Sequence, residues 1–177
     1  VNAMFRLRGK VLQFGRQHLI NEGFIETHTP KIVATATEGG TDLFPMQYFE
    51  TPAYLNQSPQ LFKQLCMSGG LERVFEIGPA FRAEKHDTYR HLNEFISFDI
   101  ECSWANDDDV MGVLERMLHH IWKSVADEEE SQGLIATINA YRATQEEEAI
   151  EVIVPELPFP RMEYCDAIRI IKEKGGT

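Results

Sequence analysis

The chain has 177 residues, of which 43% are hydrophobic and 25% charged, enough for one domain with a sizeable core and a composition that excludes global disorder. Its 17 basic and 28 acidic residues give a net charge of −11, which argues against broad nonspecific nucleic-acid binding or attraction to an anionic membrane, but not against a local basic site. No apolar run approaches the roughly 18 residues of a membrane span, no signal-peptide layout opens the chain, and Cys66, Cys102 and Cys165 are too scattered for a disulfide framework or a CxxC site, so a soluble cytoplasmic protein is expected.

From about Met4 to Asn21, Leu7, Val11 and Phe14 follow helical spacing, and Gly23 is placed to end the helix. Arg6, Arg8, Lys10 and Arg16 decorate it, either as a solvated face or as a contact for a partner or RNA. Phe24 to Ile32 reads as one short extended segment, and Pro30, which has no amide donor, assigns it to a sheet edge. The small-residue run Ala34 to Thr37 leads into Glu38-Gly39-Gly40-Thr41, a loop that could fold over a cationic group or be a plain surface turn. Ser58 and Pro59 then start a helix on which Gln60 and Lys63, three apart, share a face, with Leu61, Phe62 and Leu65 available for packing. Taken alone, Lys63 would be a solvent-facing lysine. Gly69-Gly70 closes that helix.

The stretch from Phe75 to Glu101 carries the most information. Phe75, Ile77 and Phe81 share one parity, and Glu76, Arg82 and Glu84 the other. On the second arm Ile96, Phe98, Ile100 and Cys102 oppose Ser97, Asp99 and Glu101, so the arms predict an antiparallel hairpin with an apolar back and a charged front. Such a front can be no more than a solvated sheet face. Arg82 and Glu84, the charged connection from Lys85 to His91, and Phe95 also supply what a nucleotide site needs: a phosphate fork, a clamp and a ring to stack on a base.

Beyond the hairpin, Val110, Leu114, Met117, Leu118, Ile121 and Val125 predict an amphipathic helix with Asp107 to Asp109 at its N-terminus. Adjacent His119 and His120 diverge around it and read as structural. Glu128 to Glu130 and Glu146 to Glu148 read as solvated acidic runs, Pro155, Pro158 and Pro160 as a linker, and Met162 to Lys174 as a last helix.

Phe81-Arg82-Ala83-Glu84, the variable loop, His91-Leu92-Asn93-Glu94-Phe95 and the acidic strand Asp99-Ile100-Glu101 resemble motif 2 of class II aminoacyl-tRNA synthetases. Residues of about 5–32, ending near Pro30, look like motif 1, the family's dimer interface. Gln57 to Gln64 resembles the aspartate-binding segment of the archaeal and eukaryotic aspartyl group, whereas the asparaginyl relatives typically carry a glutamate near the Lys63 position. Electrostatics agree, because a lysine pairs with a side-chain carboxylate and gains far less from a neutral amide.

The resemblance implies an α+β catalytic core, a mostly antiparallel sheet flanked by helices, in a homodimer. It implies ATP-dependent activation of L-aspartate and transfer to tRNA(Asp), with magnesium held mainly by motif 3. By the same resemblance Glu38, Gln60, Lys63 and Arg82 would bind aspartate, with Glu38 on the ammonium side. Arg82, Ala83, Glu84, Arg90, His91, Leu92 and Phe95 would border ATP, with Arg82 catalytic and Phe95 on adenine. Motif 3 and the anticodon-binding barrel are expected outside this chain, which alone would be inactive. An asparagine synthetase-type paralogue that amidates activated aspartate, and a noncatalytic dimerisation or regulatory module, are the alternatives.

Overall fold

A computed structural model of the chain describes residues 1–35, 43–85, 88 and 91–175. Its first helix, α1, spans Asn2–Asn21 and ends against Gly23, whose φ of +83° is the left-handed conformation glycine adopts at little cost. The expected extended segment divides around Pro30. Strand β1 (Ile25–Glu26) runs parallel to β5 (Arg73–Phe81), and β2 (Ile32–Val33) joins a separate sheet with β4 (Thr51–Leu55) and β3 (Pro45–Tyr48). The edge position holds for β1, the outer strand of the order β1-β5-β6. The turn from Thr27 to Lys31 carries the chain between the sheets, and the β3–β4 hairpin is an element the sequence reading lacked.

Helix α2 (Gln60–Ser68) starts as expected to within a residue: Ser58 Oγ accepts the Gln60 amide at 3.1 Å and the Pro59 carbonyl accepts the Lys63 amide at 2.9 Å. Its burial departs from the expectation in part: Phe62 is half-buried, but Leu61 and Leu65 face outward while Lys63 is only 1% exposed.

The hairpin forms with the two faces the parity predicts. Strands β5 and β6 (Glu94–Cys102) pair antiparallel, with Phe75 opposite Ile100, Ile77 opposite Phe98 and Glu76 opposite Asp99. The apolar back meets α1 and α3 (Asp107–Asp127), giving a core of Leu19, Phe24, Phe75, Ile77, Val113, Met117 and Ile121. Gly15 allows this approach, because a Cβ there would lie 2.7 Å from the Phe98 ring. A capping box between Asn106 and Asp109 starts α3. Its buried row is Val113, Met117, Ile121 and Val125 at four-residue spacing, whereas Val110 and Leu114, which the sequence placed on the core stripe, are partly exposed.

Helix α4 (Glu129–Thr144), also absent from the sequence reading, buries Leu134, Ile135 and Ile138 beside α1 and α3. It supplies partners for Arg6 and Lys10 on the basic face of α1, while Glu128 is half-buried and Glu129 and Glu130 are exposed, as the solvated reading expects. Lys10 pairs with Glu128 and Glu130 at 2.7 Å, and Arg6 with Glu130. Further along α1, Arg16 pairs with Glu26 at 3.0 Å. The last helix, α5, spans Tyr164–Glu173. His119 contacts the Pro155 carbonyl and His120 lies against His18, consistent with structural roles. All three cysteines are free. Among the described residues no helix is long and apolar enough to cross a membrane.

Candidate active site

The charged front of the hairpin lies under the first turns of α2. Parity puts Glu76, Gly78 and Ala80 of β5 and Phe95, Ser97, Asp99 and Glu101 of β6 on this face, with Arg82 continuing the β5 series beyond the strand end. The segment leading into α2 is fixed by Asn56, 1% exposed. Its side-chain amide donates to the Pro30 carbonyl at 3.0 Å, its side-chain oxygen accepts the Ser58 amide at 3.1 Å, and its backbone carbonyl accepts the Phe81 amide at 3.1 Å. One asparagine thus ties the turn before β2, the start of α2 and the end of β5 together.

From that anchored start, Gln60 and Lys63 both point at β6. Gln60 Nε2 donates to Glu101 Oε2 at 2.9 Å. Lys63 Nζ donates to Asp99 Oδ1 at 3.2 Å and to the Ile100 carbonyl at 3.1 Å, and lies 3.2 Å from Glu101 Oε2. A buried ammonium needs such partners, since desolvation without them costs several kcal/mol, roughly. Ser97 Oγ donates to the other Asp99 oxygen. Opposite Asp99 in the ladder, Glu76, 2% exposed, pairs with Lys31 and accepts the Thr29 amide at 3.0 Å. Gly78 is required beside it, because a Cβ there would meet Glu76 Oε1 at 2.8 Å.

Arg82 lies over the Phe95 ring, 5.4 Å from its centroid, and its backbone amide donates to the Asn93 carbonyl at 2.9 Å, holding the hairpin closed beyond the strands. The guanidinium and the ring therefore form one cation–π unit at the open end of the charged face. Ala83 and Glu84 follow, half-buried, while His91 and Leu92 are exposed, His91 Nδ1 lying 2.6 Å from Thr88 Oγ1. Glu38 and Arg90 lie outside the described residues.

Of the sequence-derived site residues, Gln60, Lys63, Arg82 and Phe95 thus share one face of the sheet. Five members of the surrounding network were not assigned to the site from sequence: Asn56, Glu76, Lys31, Asp99 and Glu101. Strand parity was a usable signal for Asp99 and Glu101, which alternate in phase with Phe95. Nothing in the spacing links Lys31 to Glu76, 45 residues on. Among the described residues no group of three or more histidine, cysteine, aspartate or glutamate side chains is placed to hold a metal ion.

Residues 1–175 match the family model of tRNA synthetases class II (D, K and N). The chain is 53% identical over 175 residues to the aspartate–tRNA(Asp/Asn) ligase of Archaeoglobus fulgidus, and 48% identical over 175 residues to the aspartate–tRNA(Asp) ligase of Thermoplasma volcanium. Each match takes in 99% of this chain and 38% of the relative, so the chain spans well under half the length of the curated relatives it matches. Among solved structures, the asparaginyl-tRNA synthetase of Pyrococcus horikoshii complexed with asparaginyl-adenylate superposes with a TM-score of 0.80 at 32% identity, covering 98% of this chain and 38% of that one. A putative aspartyl-tRNA synthetase from Leishmania major Friedlin gives a TM-score of 0.68 at 38% identity over 77% of this chain and 26% of that one.

Proposed function

Since this chain belongs to the family of class II tRNA synthetases (D, K and N), we propose that it is part of the catalytic core of an aspartate–tRNA ligase. The observation that carries the choice of aspartate is Lys63, a nearly fully buried cation beside Gln60 on the charged face of the hairpin. A side-chain carboxylate of the substrate would meet a fixed positive charge there, whereas an amide would meet a donor it matches less well.

In this reading aspartate lies between α2 and β6, recognised by Gln60 and Lys63, with Glu38 on its ammonium side. ATP lies toward Arg82 and Phe95, bordered by Ala83, Glu84, Arg90, His91 and Leu92, and the adenine stacks on Phe95. The α-carboxylate of aspartate attacks the α-phosphorus in line, the bond to the departing pyrophosphate breaks, and aspartyl-adenylate remains for transfer to the 3′ end of tRNA(Asp). No protein nucleophile is needed. Arg82 faces the charge that develops at phosphorus, and one such donor is worth about 3 kcal/mol, or about a hundredfold in rate. Magnesium, when bound, would neutralise phosphate charge.

Exposed Phe5, Ile25 and Ile32 support a motif 1 surface that pairs two copies in a cytoplasmic homodimer. The test is ATP–pyrophosphate exchange by the full-length parent. Exchange that depends on aspartate and is lost in Arg82→Ala, with the circular dichroism spectrum unchanged, is the expected result. A folded parent without aspartate-dependent exchange would sink the assignment.

A further inference from the structure

Glu101 has no role in the account above, yet both proposed recognition side chains converge on it. Its Oε2 accepts the hydrogen bond of Gln60 Nε2 at 2.9 Å and lies 3.2 Å from Lys63 Nζ. One oxygen atom therefore sets how far apart, and in which direction, the amide and the ammonium project from the same face of α2. The two are not held equally. Lys63 has two further acceptors on β6, Asp99 Oδ1 and the Ile100 carbonyl, and would stay on the strand without Glu101. Among the described residues the Gln60 side chain donates to the Glu101 carboxylate and to no other acceptor. Burial also differs, with Lys63 1% and Glu101 24% exposed, so Glu101 reaches in from the rim as the second carboxylate, after Asp99, facing a cation that cannot reach water.

We propose that Glu101 is a positioning residue for aspartate recognition, aligning the Gln60 amide and the Lys63 ammonium without itself touching the reacting atoms. The inference rests on the reading of Gln60 and Lys63 as the aspartate-recognition pair. Two substitutions separate its contributions. Glu101→Gln keeps an oxygen that can accept from Gln60 but removes the charge facing Lys63, and Glu101→Ala removes both. A structural residue would lower thermal stability and disturb both substrates, whereas a positioning residue changes the Michaelis constant of one.

In the full-length parent, steady-state ATP–pyrophosphate exchange should show the KM for aspartate raised about tenfold in Glu101→Ala, the effect of losing one charge-assisted contact. The rise should be smaller in Glu101→Gln, and the KM for ATP should stay within about twofold of the wild type in both. The preference for aspartate over asparagine, as a ratio of kcat/KM, should fall in the same order. An aspartate KM unchanged in both variants, or equal rises for aspartate and ATP, overturns the proposal. If the alanine variant does not fold, the glutamine variant carries the same test. A wild-type parent lacking aspartate-dependent exchange would refute the functional reading instead, and is distinguished by being measured first.

Discussion

Lys63 concentrates the residue-scale argument because its burial and its charge pull in opposite directions. A helix lysine ordinarily keeps its head in water, and at 1% exposure this one depends on Asp99, Glu101 and the Ile100 carbonyl. Family contrast suggests Lys63→Glu as the specificity test, but the structure makes it a poor one, since a third carboxylate would crowd Asp99 and Glu101. Lys63→Met is cleaner: it keeps the stem and removes the charge. Titration calorimetry on the full-length parent should find aspartate affinity reduced at least about tenfold, the loss of one buried charge-assisted contact, with ATP affinity within about twofold. Equal losses for both ligands would take Lys63 out of substrate selection. The sequence marked the lysine as one of a pair on a helix face; it could not give the burial, because that depends on β6, contributed from 36 residues further along the chain.

At the scale of elements, legibility followed periodicity. The two faces of the β5–β6 hairpin were readable because strict alternation puts Phe75, Ile77, Phe98 and Ile100 on one side, whereas the exact register was not, since a shift of two residues keeps the same faces. Helix α4 was not, because its acidic start and its scattered Gly133, Ala136 and Ala140 dilute the apolar row, and β3 and β4 are short and each contains a proline. The basic face of α1 illustrates a third case: Arg6 and Lys10 offered a solvated or a partner-binding reading, and their partners are acidic residues at the start of a helix the sequence concealed. Gly15 marks a tight approach of α1 to the apolar back of the hairpin. Gly15→Ala should gain about 1 kcal/mol of helix propensity yet push the Phe98 ring, wedged between α1 and α3, out of its position. Overpacking of this kind costs about 1–3 kcal/mol, so the net change in urea denaturation should be a loss. A midpoint equal to or above the wild type would mean that the hairpin and α1 slide apart freely.

For the whole molecule, two electrostatic effects oppose each other as the solution is acidified. Lowering the pH from neutrality toward the sequence isoelectric point of about 5.0 relieves the self-repulsion of a chain with net charge −11, which should stabilise it. Against this stand groups that bind protons more readily unfolded than folded. Burial holds His18 below the usual histidine value, despite the neighbouring Glu22, with His120 and Arg116 acting in the same direction as burial. Hydrogen bonds from Arg116 to Glu22, from Lys10 to Glu128, and from Lys10 and Arg6 to Glu130 hold those carboxyls low. For each depressed value the folded state resists protonation, so its contribution is present above the unfolded pKa and is lost as pH falls through the folded one. His18 governs the first stage, below about 6.5, and the carboxylates act below about 4.3. General repulsion is long-ranged and, with a Debye length of about 8 Å at physiological salt, largely screened, whereas these contacts are local. The local effects should win: in 0.15 M salt the thermal midpoint should fall as the pH drops below about 6.5 toward 4, and His18→Asn should flatten the first stage of that fall. A midpoint that climbs toward pH 5 would mean that net repulsion, not the α1–α3 and α1–α4 contacts, governs stability.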